Sequence, residues 1–219
     1  MTAIRKNDIF IIDDHELVRK GLRLLINGEK DMRVCGEAAS VHQAKQLKRS
    51  LKPDVAVVDI SLPDGSGLDL IKNLHQWRPQ MHIIVLSTYD DELFAERAIN
   101  NGAMGYINKQ DSADSLIQAI RHIANNKVYV SSKMTERLLK RFSNKVHADF
   151  VSPVKLLSDR ELEVFDLIGK GKKTSQIAEL LNLSVKTIET HRSHIKQKLN
   201  LNSSVELTRS AVLWSLESL

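Results

Sequence analysis

Four short apolar runs, each followed by residues that can carry chemistry, constrain this chain more than anything else in it. Ile9-Phe10-Ile11-Ile12 leads into Asp13 and Asp14, Val55-Ala56-Val57-Val58 into Asp59, Ile83-Ile84-Val85-Leu86 into Ser87, and Tyr106-Ile107 into Lys109 one residue on. Continuous rather than alternating apolar runs are the mark of strands covered on both faces. If they are parallel strands of one sheet, these five residues converge at its carboxyl edge, where open α/β sheets place their chemistry. Clustered carboxylates beside a hydroxyl and an ammonium suit one divalent cation and one phosphoryl group.

Helical periodicity fills the gaps between the runs. Leu17, Val18, Leu22, Leu25 and Ile26 keep helical spacing after the first strand, and Leu68, Leu70, Ile71 and Leu74 do so after the third. With a short second strand at 32–36, a second helix at 41–51 and further helices at 91–100 and 112–124, strand and helix alternate five times. Such alternation predicts a five-stranded doubly wound parallel sheet in the first half of the chain.

Charge marks a boundary. Residues 1–130 hold 17 Lys+Arg against 17 Asp+Glu, whereas residues 131–219 hold 15 against 10 and account for the whole net charge of +5. A basic second part beside a neutral first part points to a polyanion as partner. The lone cysteine, Cys35, excludes an internal disulfide and reads as a small core hydrophobe. No apolar stretch reaches the roughly 20 residues of a membrane span, and the start lacks a signal-peptide core, so a cytoplasmic protein without membrane contact is expected.

Residues 128–153 read as a linker, with a helix-like patch at Met134–Phe142. After it every segment reads as helix. Ser158-Asp159-Arg160-Glu161 is a capping box opening a helix that Gly169 and Gly171 end. A short helix near 174–181 offers Ile177, Leu180 and Leu181 to a core; Ser184 caps a third helix, and a fourth follows Asn202-Ser203-Ser204. Two short helices across a tight polar turn form the pattern of a helix-turn-helix. On the third helix Ile188, Ile195 and Leu199 make the inward stripe. Lys186, Glu189, Thr190, Ser193 and Gln197 then lie opposite, flanked by Arg192, Lys196 and Lys198, with hydrogen-bonding groups for base edges and cations for phosphates.

These motifs carry a resemblance. Asp13-Asp14, Asp59, the spacing Asp59…Pro63…Gly67, Ser87 and Gly105-Tyr106-x-x-Lys109 resemble the receiver domain of two-component response regulators. Residues 157–200 resemble the LuxR-type helix-turn-helix of the NarL/FixJ family. The resemblance implies a flavodoxin-like receiver with strand order 2-1-3-4-5 over residues 1–127, and a small all-α four-helix helix-turn-helix domain over 154–219.

It also implies roles. Asp59 would be the phosphoacceptor, taking a phosphoryl group from a histidine kinase or phosphotransfer protein. Asp14 and Asp59 would bind Mg2+ through side chains, Ser61 through its carbonyl and Asp13 through water. Lys109 and Ser87 would contact the phosphoryl oxygens, with Ser87 and Tyr106 as the switch. His15, lacking a second histidine at metal-binding spacing, reads as first-turn surface.

Glu189, Thr190 and Ser193 would read bases, with Lys173, Thr174, Lys186, Thr187, Arg192 and Lys196 toward phosphates. Glu189 stands where many relatives carry a basic residue. Double-stranded DNA, a second copy on phosphorylation and RNA polymerase are the further partners implied. The expected function is a phosphorylation-regulated, DNA-binding transcription regulator that is not an enzyme beyond its own phosphorylation and dephosphorylation. An Asp-dependent phosphohydrolase, or a receiver with a protein-binding output, would be the alternatives.

Overall fold

The computed structural model describes residues 6–88, 92–111, 113–130, 135–136 and 153–217. The chain divides into two compact units, Met1–Arg137 and Leu138–Leu219.

The first unit is built on five parallel strands, β1 (Asn7–Ile12), β2 (Met32–Ala38), β3 (Val55–Val58), β6 (His82–Ser87) and β7 (Gly105–Asn108). Their spatial order is β2-β1-β3-β6-β7, the order 2-1-3-4-5 expected for the five sheet strands. Helices α1 (Glu16–Gly28), α2 (Val41–Leu47), α3 (Gly67–Trp77), α4 (Glu92–Asn100) and α5 (Ala113–Ala124) cover it. Successive strand side chains point to opposite faces. Ile9, Ile11, Val55, Val57, Ile84 and Leu86 thus form one buried cluster with Leu22 and Ile26 of α1 and Leu116, Ile120 and Ile123 of α5. A two-residue-per-strand hairpin, β4 (Ser61–Leu62) and β5 (Gly65–Ser66), is inserted between β3 and α3.

Two sequence expectations change here. On α1 the buried row is Leu22 and Ile26, while Leu17 is 83% exposed and Leu25 40%. The i, i+4 row governs burial, and Leu17 lies about two-fifths to half of a turn away from it. Cys35 is half-buried rather than fully enclosed, and burial pushes its thiol up to about 11.

The second unit holds a 3-10 turn at Pro153–Leu156 and helices α6 (Asp159–Gly169), α7 (Thr174–Leu180), α8 (Val185–Lys198) and α9 (Ser204–Glu217). The capping box closes as the sequence predicts: Glu161 N–H donates to Ser158 Oγ, and Ser158 N–H donates to Glu161 Oε2 at 2.7 Å. Past the end of α6, Gly171 takes φ +75°, which glycine adopts without a side-chain clash. Ile177, Leu181, Ile188, Ile195, Leu207 and Ala211 are buried, and Phe165 packs on Trp214 with ring centres 5.6 Å apart. Leu180 is 53% exposed, so α7 turns Ile177, Ala178 and Leu181 inward instead. The helix-like patch at Met134–Phe142 falls, but for residues 135 and 136, outside the described residues.

Candidate functional site

Sheet geometry gathers the strand-end residues. The Asp59 N–H donates to the carbonyl of Ile12 at 2.8 Å, which holds the ends of β1 and β3 level. Asp13 and Asp59 are 2% and 3% exposed, and Ser87 is fully buried as the last residue of β6. Lys109 follows β7, and its N–H donates to the Ser87 carbonyl at 2.7 Å. Its ammonium reaches back to Asp59 Oδ2 at 2.6 Å and Asp13 Oδ2 at 2.8 Å. The Ser61 N–H points to Asp59 Oδ1 at 3.3 Å. Tyr106, 7% exposed, sits on β7 one residue after Gly105, and its N–H donates to the Tyr129 carbonyl at 3.0 Å.

The spacing from Asp59 to Gly67 has a steric reason. The intervening hairpin returns the chain so that the Gly67 N–H donates to the Ile60 carbonyl at 2.7 Å. A Cβ at Gly67 would meet the Asp59 carbonyl oxygen and stand 2.6 Å from Ile60 Cα. Helix α3 is therefore seated on the backbone of Asp59 itself. In the same loop Asp64 accepts from the Val41 and His42 N–H groups at 2.7 and 2.8 Å, tying the start of α2 to the loop after Asp59.

Electrostatics in the pocket are tense. Burial pushes the Asp59 carboxyl up to about 6, Lys109 opposes that rise, and Asp13 adds to it. Burial also works against a charged Lys109, but Asp59 and Asp13 together hold its pKa above the usual value. Asp13, Asp14, His15 and Asp59 each offer one ligand atom, all within 4.8 Å of one another. Asp13 Oδ2 and Asp14 Oδ1 are buried, the first 2.8 Å from the Lys109 ammonium and the second 2.7 Å from His15 Nδ1. Buried carboxylate oxygens gathered in this way suit a hard divalent cation.

His15 is the residue whose place the sequence did not reveal. Its side chain is 63% exposed, yet Nδ1 lies 2.7 Å from Asp14 Oδ1 and 3.3 Å from Asp13 Oδ1. The sequence signal was its adjacency to the two aspartates, since its partners are carboxylates rather than another histidine.

In the second unit α8 presents the expected face. Lys186, Glu189, Thr190 and Ser193 are exposed, while Ile188 and Ile195 are buried. Lys173 is exposed, and Thr174, Thr187, Arg192 and Lys196 are intermediate. Ser184 caps the helix by accepting from the Thr187 N–H at 3.0 Å. Glu189 is already engaged: Thr174 Oγ1 donates to it at 3.1 Å, and Arg192 Nε lies 3.6 Å away. In the same unit α6 carries three buried acids, each met by a base. Glu161 pairs with Lys198 at 2.6 Å, Glu163 with Arg160 at 2.6 Å and Asp166 with Lys170 at 2.8 Å.

A doubly wound sheet with an acid pocket at its carboxyl edge, joined to a helix-turn-helix, defines the class of phosphorylation-regulated, DNA-binding transcription regulators. Residues 9–121 match the response regulator receiver domain, and residues 155–211 match the bacterial regulatory proteins of the luxR family. The oxygen regulatory protein NreC of Staphylococcus haemolyticus is 41% identical over 208 residues, covering 93% of this chain and 96% of that protein. NreC of Staphylococcus carnosus is likewise 41% identical with the same coverage. Among solved structures, RcsB of Salmonella enterica serovar Typhimurium, bound to promoter P1flhDC in the presence of phosphomimetic BeF3-, is 26% identical. It superposes with a TM-score of 0.63, covering 98% of this chain and all of that one. The chain belongs to the response regulators that join a receiver domain to a LuxR-type DNA-binding domain. Among the described residues no helix is long and apolar enough to cross a membrane.

Proposed function

We propose that Asp59 is the phosphoacceptor of a two-component system and that its modification controls how α8 engages double-stranded DNA. The observation that carries the reading is the bridge from Lys109 to both Asp59 and Asp13 at the carboxyl edge of the sheet. That ammonium already occupies the position from which a cation would neutralise a phosphorylated Asp59. An Asp59 oxygen attacks the phosphorus of a phosphohistidine on the partner kinase or phosphotransfer protein, the phosphorus–nitrogen bond breaks, and the imidazole leaves. Asp14, Asp59 and the Ser61 carbonyl would hold Mg2+ directly, and Asp13 would hold it through water. When bound, the cation neutralises the charge that gathers on the transferred group.

Lys109 pairs with the phosphoryl oxygens and Ser87 donates a hydrogen bond to them. Tyr106 follows Ser87, carrying the change toward α4 and β7. Hydrolysis of the acyl phosphate by the same pocket resets the protein. At the other end Glu189, Thr190 and Ser193 face base edges, and Lys173, Thr174, Lys186, Thr187, Arg192 and Lys196 face phosphates. Pairing of two copies places two α8 helices on successive half-sites. RNA polymerase is the partner such a complex would address. Residues 1–127 and 154–219 serve as the two functional domains, with 128–153 between them.

The test is DNA binding by the wild type and by Asp59→Asn, each with and without a small-molecule phosphodonor and Mg2+. The wild type should gain at least tenfold in affinity for its site and the variant nothing. Equal responses would overturn the reading.

A further inference from the structure

His15 occupies the capping position of α1 but makes no side-chain capping hydrogen bond. Its N–H donates to Asp13 Oδ1 at 2.8 Å, and its ring turns to the carboxylates instead, with Nδ1 2.7 Å from Asp14 Oδ1 and 3.3 Å from Asp13 Oδ1. A six-coordinate cation with ligands about 2.1 Å away sets adjacent ligand atoms about 3.0 Å apart and opposite ones about 4.2 Å apart. The two His15 distances bracket the adjacent spacing. The ligand atoms of Asp13, Asp14, His15 and Asp59 all fall within 4.8 Å of one another, close to the opposite spacing. Asp13 is 2% exposed with Oδ2 2.8 Å from the Lys109 ammonium, and the buried Asp14 Oδ1 has the His15 ring nitrogen beside it. The pocket thus brings three carboxylate oxygens and one imidazole nitrogen within ligand spacing of one another.

We propose that the His15 imidazole is itself a ligand of the divalent cation, which turns an oxygen pocket into a mixed nitrogen–oxygen site. The inference rests on the metal-binding reading of Asp14 and Asp59 given above. Imidazole adds little for Mg2+, a hard cation that keeps oxygen ligands and water, and adds much for later first-row divalent cations. The site should therefore accept Co2+ in preference to Mg2+ to a degree that carboxylates alone do not provide. His15 is well placed for this because its side chain is 63% exposed and can adjust its ring at little cost to packing.

The experiment uses the full chain without an affinity tag, as wild type, His15→Ala and Asp14→Asn. Calorimetric titration with Mg2+ and with Co2+ gives the ratio of affinities, and pulsed EPR of bound Mn2+ reads nitrogen hyperfine coupling. His15→Ala should weaken Co2+ about tenfold or more, change Mg2+ by less than about threefold, and erase the nitrogen coupling. Equal weakening of both cations, tighter binding of both, or coupling that persists in His15→Ala would overturn the proposal. If the wild type binds neither cation, or Asp14→Asn binds as the wild type does, the metal-site reading itself fails, which is a different result.

Discussion

The ammonium of Lys109 donates to Asp59 Oδ2 across 2.6 Å, from a chain segment 50 residues further on. With Lys109 only 13% exposed, the pair is cut off from much of the solvent screening that weakens surface ion pairs. Replacing Lys109 by Met leaves Asp59 and Asp13 without their shared cation, which should cost about 3 kcal/mol of stability. Added Mg2+ should recover more stability in Lys109→Met than in the wild type. Urea unfolding of both proteins with and without Mg2+ measures this, and equal Mg2+ effects would refute it.

Asp59 should itself be a burden on the resting fold. Its carboxyl is raised from the ordinary 3.8 to about 6, chiefly by burial. Between these values the folded state binds more protons than the unfolded one, so stability rises as pH falls through 6. The cost of the ionised form is fully present above pH 6. In buffer free of divalent cations, Asp59→Asn should be more stable than the wild type at pH 7.5 by about 1–3 kcal/mol. That gap should close near pH 4. Thermal unfolding across the range is the measurement, and a gap independent of pH would contradict it.

Gly67→Ala tests the seat of α3. The new methyl collides with backbone atoms of Asp59 and Ile60, which cannot swing aside as a side chain would. A loss of about 3 kcal/mol is expected, together with weaker Mg2+ binding. Gly21→Ala is the control. A Cβ there meets nothing within 4 Å in the middle of α1, and it should stabilise by up to about 1 kcal/mol.

In the second unit Glu161 joins the capping box to the end of α8. Burial acts against its charged form, but Lys198 and the Ser158 groups outweigh that and hold its pKa below the usual value. Its stabilisation is present above pH 4.5 and lost as pH falls through the lower folded value. Glu161→Gln keeps the capping hydrogen bond and removes the ion pair, so it should cost about 0.5–1 kcal/mol at pH 7 and progressively less as pH falls below 4.5. Fluorescence of Trp214 in a Trp77→Phe background follows this unit alone.

Glu189 should restrain the DNA face. It holds Thr174 and Arg192, two groups expected to meet phosphates. Glu189→Gln removes a negative charge from that face, and affinity for DNA of unrelated sequence should rise about threefold to tenfold at low salt. The gain should vanish near 0.5 M salt. An unchanged low-salt affinity would place Glu189 away from the DNA.

The sheet was legible because its strands are buried on both faces, so Ile9–Ile12 and Val55–Val58 could hardly be anything else. The convergence of the candidate residues was legible for the same reason, each being placed by the strand end before it. What escaped the sequence depends on turns and on contacts between distant segments. The hairpin at 61–66 has strands of two residues, too short for any periodicity. His15 was judged by its histidine spacing, whereas its partners are its own chain neighbours folded back. Glu189 was assigned to DNA from its helical face, and its tie to Thr174 spans the turn between two helices. The exposed Leu17 and Leu180 show that an apolar residue on a helix need not be a core residue.

One backbone rung has a mechanical meaning. Lys109 N–H to the Ser87 carbonyl couples the two residues that flank Asp59 from neighbouring strands. Their backbones are tied together: a shift of the Ser87 main chain must drag or break the attachment of the lysine. Under the proposed switch, backbone movement at the end of β6 would therefore be passed directly to the segment that follows β7.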